Sequence, residues 1–149
     1  MRNPEGWVID ASVALKWYLR DEDFLQQADG LHQAVRADPA LGHAPHISRY
    51  EVANGLSVAF RMGRIPTDSV PRDIQNFFNS GLANDSDPDW LLLDAAGISM
   101  EFPVFLNDAV YMALARSLAV DFVTSDRILY DKVANDFSFV RWLGDIPVS

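Results

Sequence analysis

Apolar residues fall into two rhythms along the chain. Short runs at Trp7-Val8-Ile9, Trp90-Leu91-Leu92-Leu93, Phe122-Val123-Thr124 and Phe139-Val140-Arg141-Trp142 have the length and the β-branched or aromatic content of buried strands. Longer stretches repeat every three or four residues, as at positions 24, 25, 28, 31 and 35, and predict helices. Helices are expected at 13–19 with Ser12 as N-cap, at 24–36 closed by Asp38-Pro39, and at 48–62 ended by Gly63. Another opens at Pro66 and Thr67 and runs to about Ser80, where Gly81 stops it. Further helices are expected at 95–101, 107–119 and 128–134. The stretch 107–119 is apolar nearly all round and should be buried. Residues 84–89 read as an acidic loop, and 43–47 as an ambiguous segment with a short strand after Pro45.

Strands alternating with helices predict an α/β domain with a mostly parallel sheet, in which ligands bind outside the carboxyl ends of the strands. The 149 residues fit one domain spanning 1–149, and 49% hydrophobic content is enough for a core. The opening residues, 1–6, are short and polar, and no apolar run approaches the roughly 20 residues that cross a bilayer. A soluble, cytoplasmic protein is expected. There is no cysteine, which removes disulfide scaffolds, iron–sulfur clusters, zinc ribbons and cysteine nucleophiles. The formal charge of −9 argues against bulk basic attraction to nucleic acid and leaves an acid excess to explain.

Four of those acids stand in apolar settings. Asp10 ends the first strand, and Asp126 follows Phe122-Val123-Thr124-Ser125; adjacent parallel strands would bring both to one sheet edge. Singly, each is also an ordinary loop residue or helix cap. Glu51 lies off the polar stripe of Asn54, Ser57, Arg61 and Arg64 and lines up instead with Gly55, Val58 and Met62, with no basic partner in view. The dipole of its helix could equally hold it with its head in solvent. Asp108 opens the most buried helix, with Asn107 as N-cap. Ionised carboxylates crowd together only with raised pKa values or a cation, and oxygen ligands suit magnesium or manganese. Such an ion activates water and stabilises phosphoryl displacement.

These residues resemble a known family. Val8-Ile9-Asp10-Ala11-Ser12-Val13-Ala14-Leu15-Lys16-Trp17, Tyr50-Glu51-Val52-Ala53-Asn54-Gly55-Leu56 with Gly63-Arg64, Asn107-Asp108-Ala109-Val110-Tyr111-Met112-Ala113-Leu114-Ala115 and Phe122-Val123-Thr124-Ser125-Asp126 occur in order, at separations similar to those of the PIN-domain ribonucleases. The likeness is strongest to toxins of the VapC kind from type II toxin–antitoxin modules. It covers nearly the whole chain. It implies a Rossmann-like central sheet of four or five parallel strands flanked by helices, and a Mg²⁺- or Mn²⁺-dependent endoribonuclease. Asp10, Glu51, Asp108 and Asp126 would be its acids. Asp10, Asp108 and Asp126 would hold the metal, with Glu51 joining directly or through water. Ser12 and Thr124 would orient a carboxylate or a metal water, with Asn107 accessory. It further implies a homodimer, an RNA substrate and a small inhibitory antitoxin that reaches into the acidic pocket. The chain departs from the family's frequent Tyr-Asp at Asn107-Asp108, and its 95–106 segment is short, with Pro103.

For RNA contact, the basic residues nearest these acids in sequence are Lys16, Arg20, Arg49 and Arg127, each also explicable as a solvated charge or an ion-pair partner. Two other readings compete. A haloacid-dehalogenase phosphatase would use Asp10 as nucleophile, but it needs an acid where Ser12 stands. A PIN-like interaction module would keep the four acids only for structure. No glycine cluster fits a dinucleotide or phosphate loop.

Overall fold

The computed structural model describes residues 5–84 and 86–148. Residues 1–4 of the polar opening, residue 85 of the acidic loop and residue 149 lie outside them. Four parallel strands form one sheet: β1 (Trp7–Ile9), β2 (Gly42–His43), β3 (Asp121–Thr124) and β4 (Val140–Trp142), in the order β2-β1-β3-β4. Around it run α1 (Ala11–Ala14), α2 (Leu25–Ala37), α3 (Ile47–Arg61), α4 (Ser69–Phe78), α5 (Asp89–Glu101), α6 (Leu106–Leu118) and α7 (Arg127–Val133).

The strands are apolar because both faces are covered. Val8 pairs with Phe122, and both point into a core shared with Leu91, Ala95 and Ile98 of α5, with α6, and with Leu129 and Val133 of α7. Ile9 pairs with Val123, and both point the other way, toward Val13, Leu31, Val35, Val52, Leu56 and Phe77. Successive strand residues thus feed opposite cores, as the pleat requires. After β1 the chain moves outward to β2, then crosses back to place β3 on β1's other side. The gap between β1 and β3 is therefore the point where strand order reverses, the usual ligand position in such sheets.

Several elements differ from the sequence pattern. Trp90-Leu91-Leu92-Leu93 is no strand. It is the first turn of α5, which runs unbroken through 95–101. Leu91, Ala95 and Ile98 carry its buried stripe, at spacings of four and three. The other leucines made that stripe look like a continuous apolar run. The first helix starts at Ala11, with Asp10 in the N-cap position and Ser12 inside it. After Ala14 it tightens into a 3-10 turn at Leu15–Trp17. The ambiguous 43–47 segment contributes its strand before Pro45, at Gly42–His43. Phe105, not Asn107, precedes α6. Gly63 (φ 76°) and Gly81 (φ 98°) adopt the left-handed backbone where they end α3 and follow α4. Among the described residues, no helix is long and apolar enough to cross a membrane.

Candidate active site

β1 ends at Ile9, so the next residue, Asp10, emerges at the sheet's carboxyl edge while its N–H still bonds Val123 O at 3.0 Å. Its backbone carbonyl starts α1, accepting from the N–H of Val13 and Ala14. Beside it β3 ends at Thr124, and Asp126 caps α7 by accepting from Leu129 N–H at 3.1 Å. The two strand-end acids that parallel pairing was expected to unite are indeed united. Asp108 enters from the first turn of α6 and Glu51 from α3. All four line one open pocket of about 500 Å³, together with Ser12, Leu15, Ile47, Tyr50, Asn54, Gly55 and Asn107.

Glu51 does not share the core face of α3, which is Ser48, Val52, Leu56 and Ala59. It lies beside that face, with Gly55 one turn on, and both border the pocket. A Cβ at Gly55 would come within 2.5 Å of Leu15 Cδ1, so glycine lets α3 approach the residues after α1 closely.

Backbone amides and hydroxyls hold the acids. Ser12 Oγ accepts from Ser125 N–H at 3.1 Å and donates to Asp10 Oδ2 at 2.8 Å. Thr124 Oγ1 accepts from Asp126 N–H at 3.0 Å and donates to the same Oδ2 at 2.7 Å. Each hydroxyl has one proton, and the amide behind it directs that proton to the carboxylate. Two donors therefore converge on one oxygen of Asp10. The sequence missed Tyr111, which occupies the place of Glu51's absent basic partner. Its hydroxyl accepts from Ala11 N–H at 3.3 Å and donates to Glu51 Oε1 at 2.6 Å. The available signal was a tyrosine in an apolar helix, one turn after Asp108, whose hydroxyl needs a partner.

Burial and mutual repulsion set the electrostatics. Asp10, 7% exposed, has its pKa raised chiefly by burial, against the lowering effect of the Thr124 and Ser12 hydrogen bonds; Asp126 adds to the rise. Glu51 is pushed up to about 7, first by burial and then, against the lowering Tyr111 bond, by Asp10 and Asp108. Asp108 is pushed up to about 6 by burial, then by Asp10 and Asp126. Burial first, and then mutual repulsion, thus favours the protonated form of three of the acids.

The basic residues nearest these acids in sequence are not brought to this pocket. Lys16 is buried and bonds Glu22 at 3.2 Å. Arg20 grips both oxygens of Asp29 at 2.8 Å. Arg49 reaches Asn84 at 3.3 Å and lies over the Phe78 ring. Arg127 pairs with Asp131 at 3.1 Å and sits near the Tyr130 and Trp142 rings.

No family model matches the chain. Over 127 residues it is 29% identical to Ribonuclease VapC3 of Pyrobaculum aerophilum, covering 84% of this chain and 92% of that protein. Over most of its length the chain is thus similar to a VapC ribonuclease. The PIN-like fold recurs in two solved structures. The crystal structure of PAE2754 from Pyrobaculum aerophilum has a TM-score of 0.66 at 23% identity, covering 93% of this chain and 91% of that one. A toxin–antitoxin complex from Klebsiella pneumoniae has a TM-score of 0.62 at 16% identity, covering 91% and 96%. In this VapC-like chain Ser12, at the position a phosphatase would give to its general acid, is a hydroxyl committed to Asp10.

Proposed function

We propose that this protein is a divalent-metal-dependent endoribonuclease and the toxin of a toxin–antitoxin pair. The carrying observation is the convergence of Asp10, Glu51, Asp108 and Asp126 on one open pocket at the strand-order reversal. The likeness to a named ribonuclease supports RNA as substrate, and the likeness to a toxin–antitoxin complex supports a protein inhibitor.

The donor set fits Mg²⁺ or Mn²⁺: it is all oxygen, and four carboxyl groups share one pocket. Among the described residues, no three Asp, Glu or His side chains stand as a ready metal cage. An open pocket with few direct ligands suits an ion that keeps several waters. Asp10, Asp108 and Asp126 would hold it, with Glu51 directly or through water. When bound, the ion supplies a water of lowered pKa and offsets charge on the phosphate. Ser12 and Thr124 fix Asp10 through Oδ2 and leave Oδ1 for the pocket. Glu51 borders the pocket with Oε1 held by Tyr111, placed to bind the ion or one of its waters. Asn107 lines the rim, where its amide can meet phosphate oxygens.

A homodimer belongs to the same proposal. The outward stripe of α5, Leu93, Ala96, Gly97 and Met100, is apolar, with Leu93 73% and Met100 88% exposed. An exposed apolar stripe of this kind is suited to cover by a second copy.

The test is cleavage of a transfer RNA and ribosomal RNA panel with and without Mg²⁺, comparing wild type with Asp10→Asn. Wild type should cleave only with metal, and Asp10→Asn should lose at least about a hundredfold. Undiminished cleavage by Asp10→Asn would overturn the assignment. A wild type that neither cleaves nor is stabilised by Mg²⁺ would favour the interaction-module reading.

A further inference from the structure

We propose that Tyr111 is a positioning residue that fixes Glu51 for its role in the pocket; this rests on the nuclease reading above. Tyr111 is completely buried, and its ring stacks on Phe122 at 5.4 Å between centroids. Packing therefore sets the direction of its hydroxyl. That hydroxyl accepts from Ala11 N–H, so its single proton goes to Glu51 Oε1.

The arrangement repeats what holds Asp10. In each case a backbone N–H donates to a hydroxyl and the hydroxyl donates to an acid: Ser125 through Ser12, Asp126 through Thr124, and Ala11 through Tyr111. The first two hydroxyls belong to segments at the strand ends. Tyr111 comes from α6, one turn beyond Asp108. Its oxygen thus joins the residue after Asp10 to Glu51, linking the elements that carry three of the four acids. A glutamate has three rotatable bonds and loses reach and direction when unanchored. Tyr111 holds one of its oxygens as an acceptor and leaves Oε2 for the pocket.

Tyr111→Phe removes only the hydroxyl and keeps the ring on Phe122. The Ala11 amide should exchange faster in this variant, a readout that needs neither metal nor RNA. Mg²⁺ affinity by calorimetry should weaken by about tenfold or more, and kcat should fall about ten- to hundredfold with KM unchanged. In a Glu51→Ala background, Tyr111→Phe should cost nothing further, because the group it positions is gone. Effects that add in the double variant, unchanged Mg²⁺ affinity beside faster Ala11 exchange, or a Tyr111→Phe chain that does not fold would each overturn the role in favour of a structural hydroxyl. If wild type proves inactive on RNA, the nuclease reading fails, while the Mg²⁺ isotherms and the double-variant comparison still decide the positioning role.

Discussion

Asp10 is held by two hydroxyl protons on one oxygen, and burial opposes its charge. The Thr124 bond is the largest of the three hydrogen-bond influences keeping it ionisable, ahead of Ser12 and the Ala11 amide. Thr124→Val keeps the shape, removes that donor and leaves the Asp126 amide without its acceptor. A lost hydrogen bond to a charged group costs about 1.5–3 kcal/mol. Denaturant unfolding at neutral pH should show a loss of about that size, with weaker Mg²⁺ binding; an unchanged midpoint would mean that Asp10 does not depend on Thr124. The sequence could nominate Asp10 and Asp126 because strand ends are visible as boundaries of apolar runs. It could not show which oxygen of Asp10 is occupied, or that Tyr111 supplies Glu51's partner, because both facts join residues 60 or more positions apart.

At the scale of elements, α5 explains the main misreading. A strand and a fully apolar helix look alike over four residues, since neither shows a polar face. Here the four residues Trp90-Leu91-Leu92-Leu93 show none, because the outward stripe of α5 begins on apolar Leu93 and its first polar position after them is Asp94. The α3 helix was legible because Gly63 bounds its alternating polar and apolar positions, and α6 because its 13 residues are too long a run for a strand. If the outward stripe of α5 is an interface between two copies, Leu93→Glu should give a monomer mass by light scattering at micromolar concentration where wild type gives a dimer. Leu93 is exposed in the single chain, so folding should change by no more than about 0.5 kcal/mol. A monomeric wild type would refute the dimer.

Across the whole molecule, the acid pocket should govern how stability follows pH. Glu51 rises from 4.5 to about 7 and Asp108 from 3.8 to about 6, with Asp10 displaced the same way. An acid whose folded pKa exceeds its unfolded one binds its proton more tightly when folded. Its stabilisation is complete below the unfolded value and is lost as pH rises through the folded value. His32 and His43, with pKa values lowered by burial, pull the other way below about pH 6.5, but three carboxyls oppose two histidines. Metal-free protein should therefore melt progressively lower from pH 5 to pH 8, and Mg²⁺ should remove most of that decline. A flat metal-free profile would show that the acids are not crowded in solution.

The crossover that sets β3 against β1 has a consequence in time. Trp7 pairs with Asp121, and the acids come from positions 10, 51, 108 and 126. Such distant parallel pairing forms slowly and cannot begin before its later partner exists. A chain still being synthesised carries Asp10 and Glu51 but no completed pocket until β3 and Asp126 have emerged. The acid pocket is thus completed only by residues 121–126, and a nascent chain that ends before them lacks it.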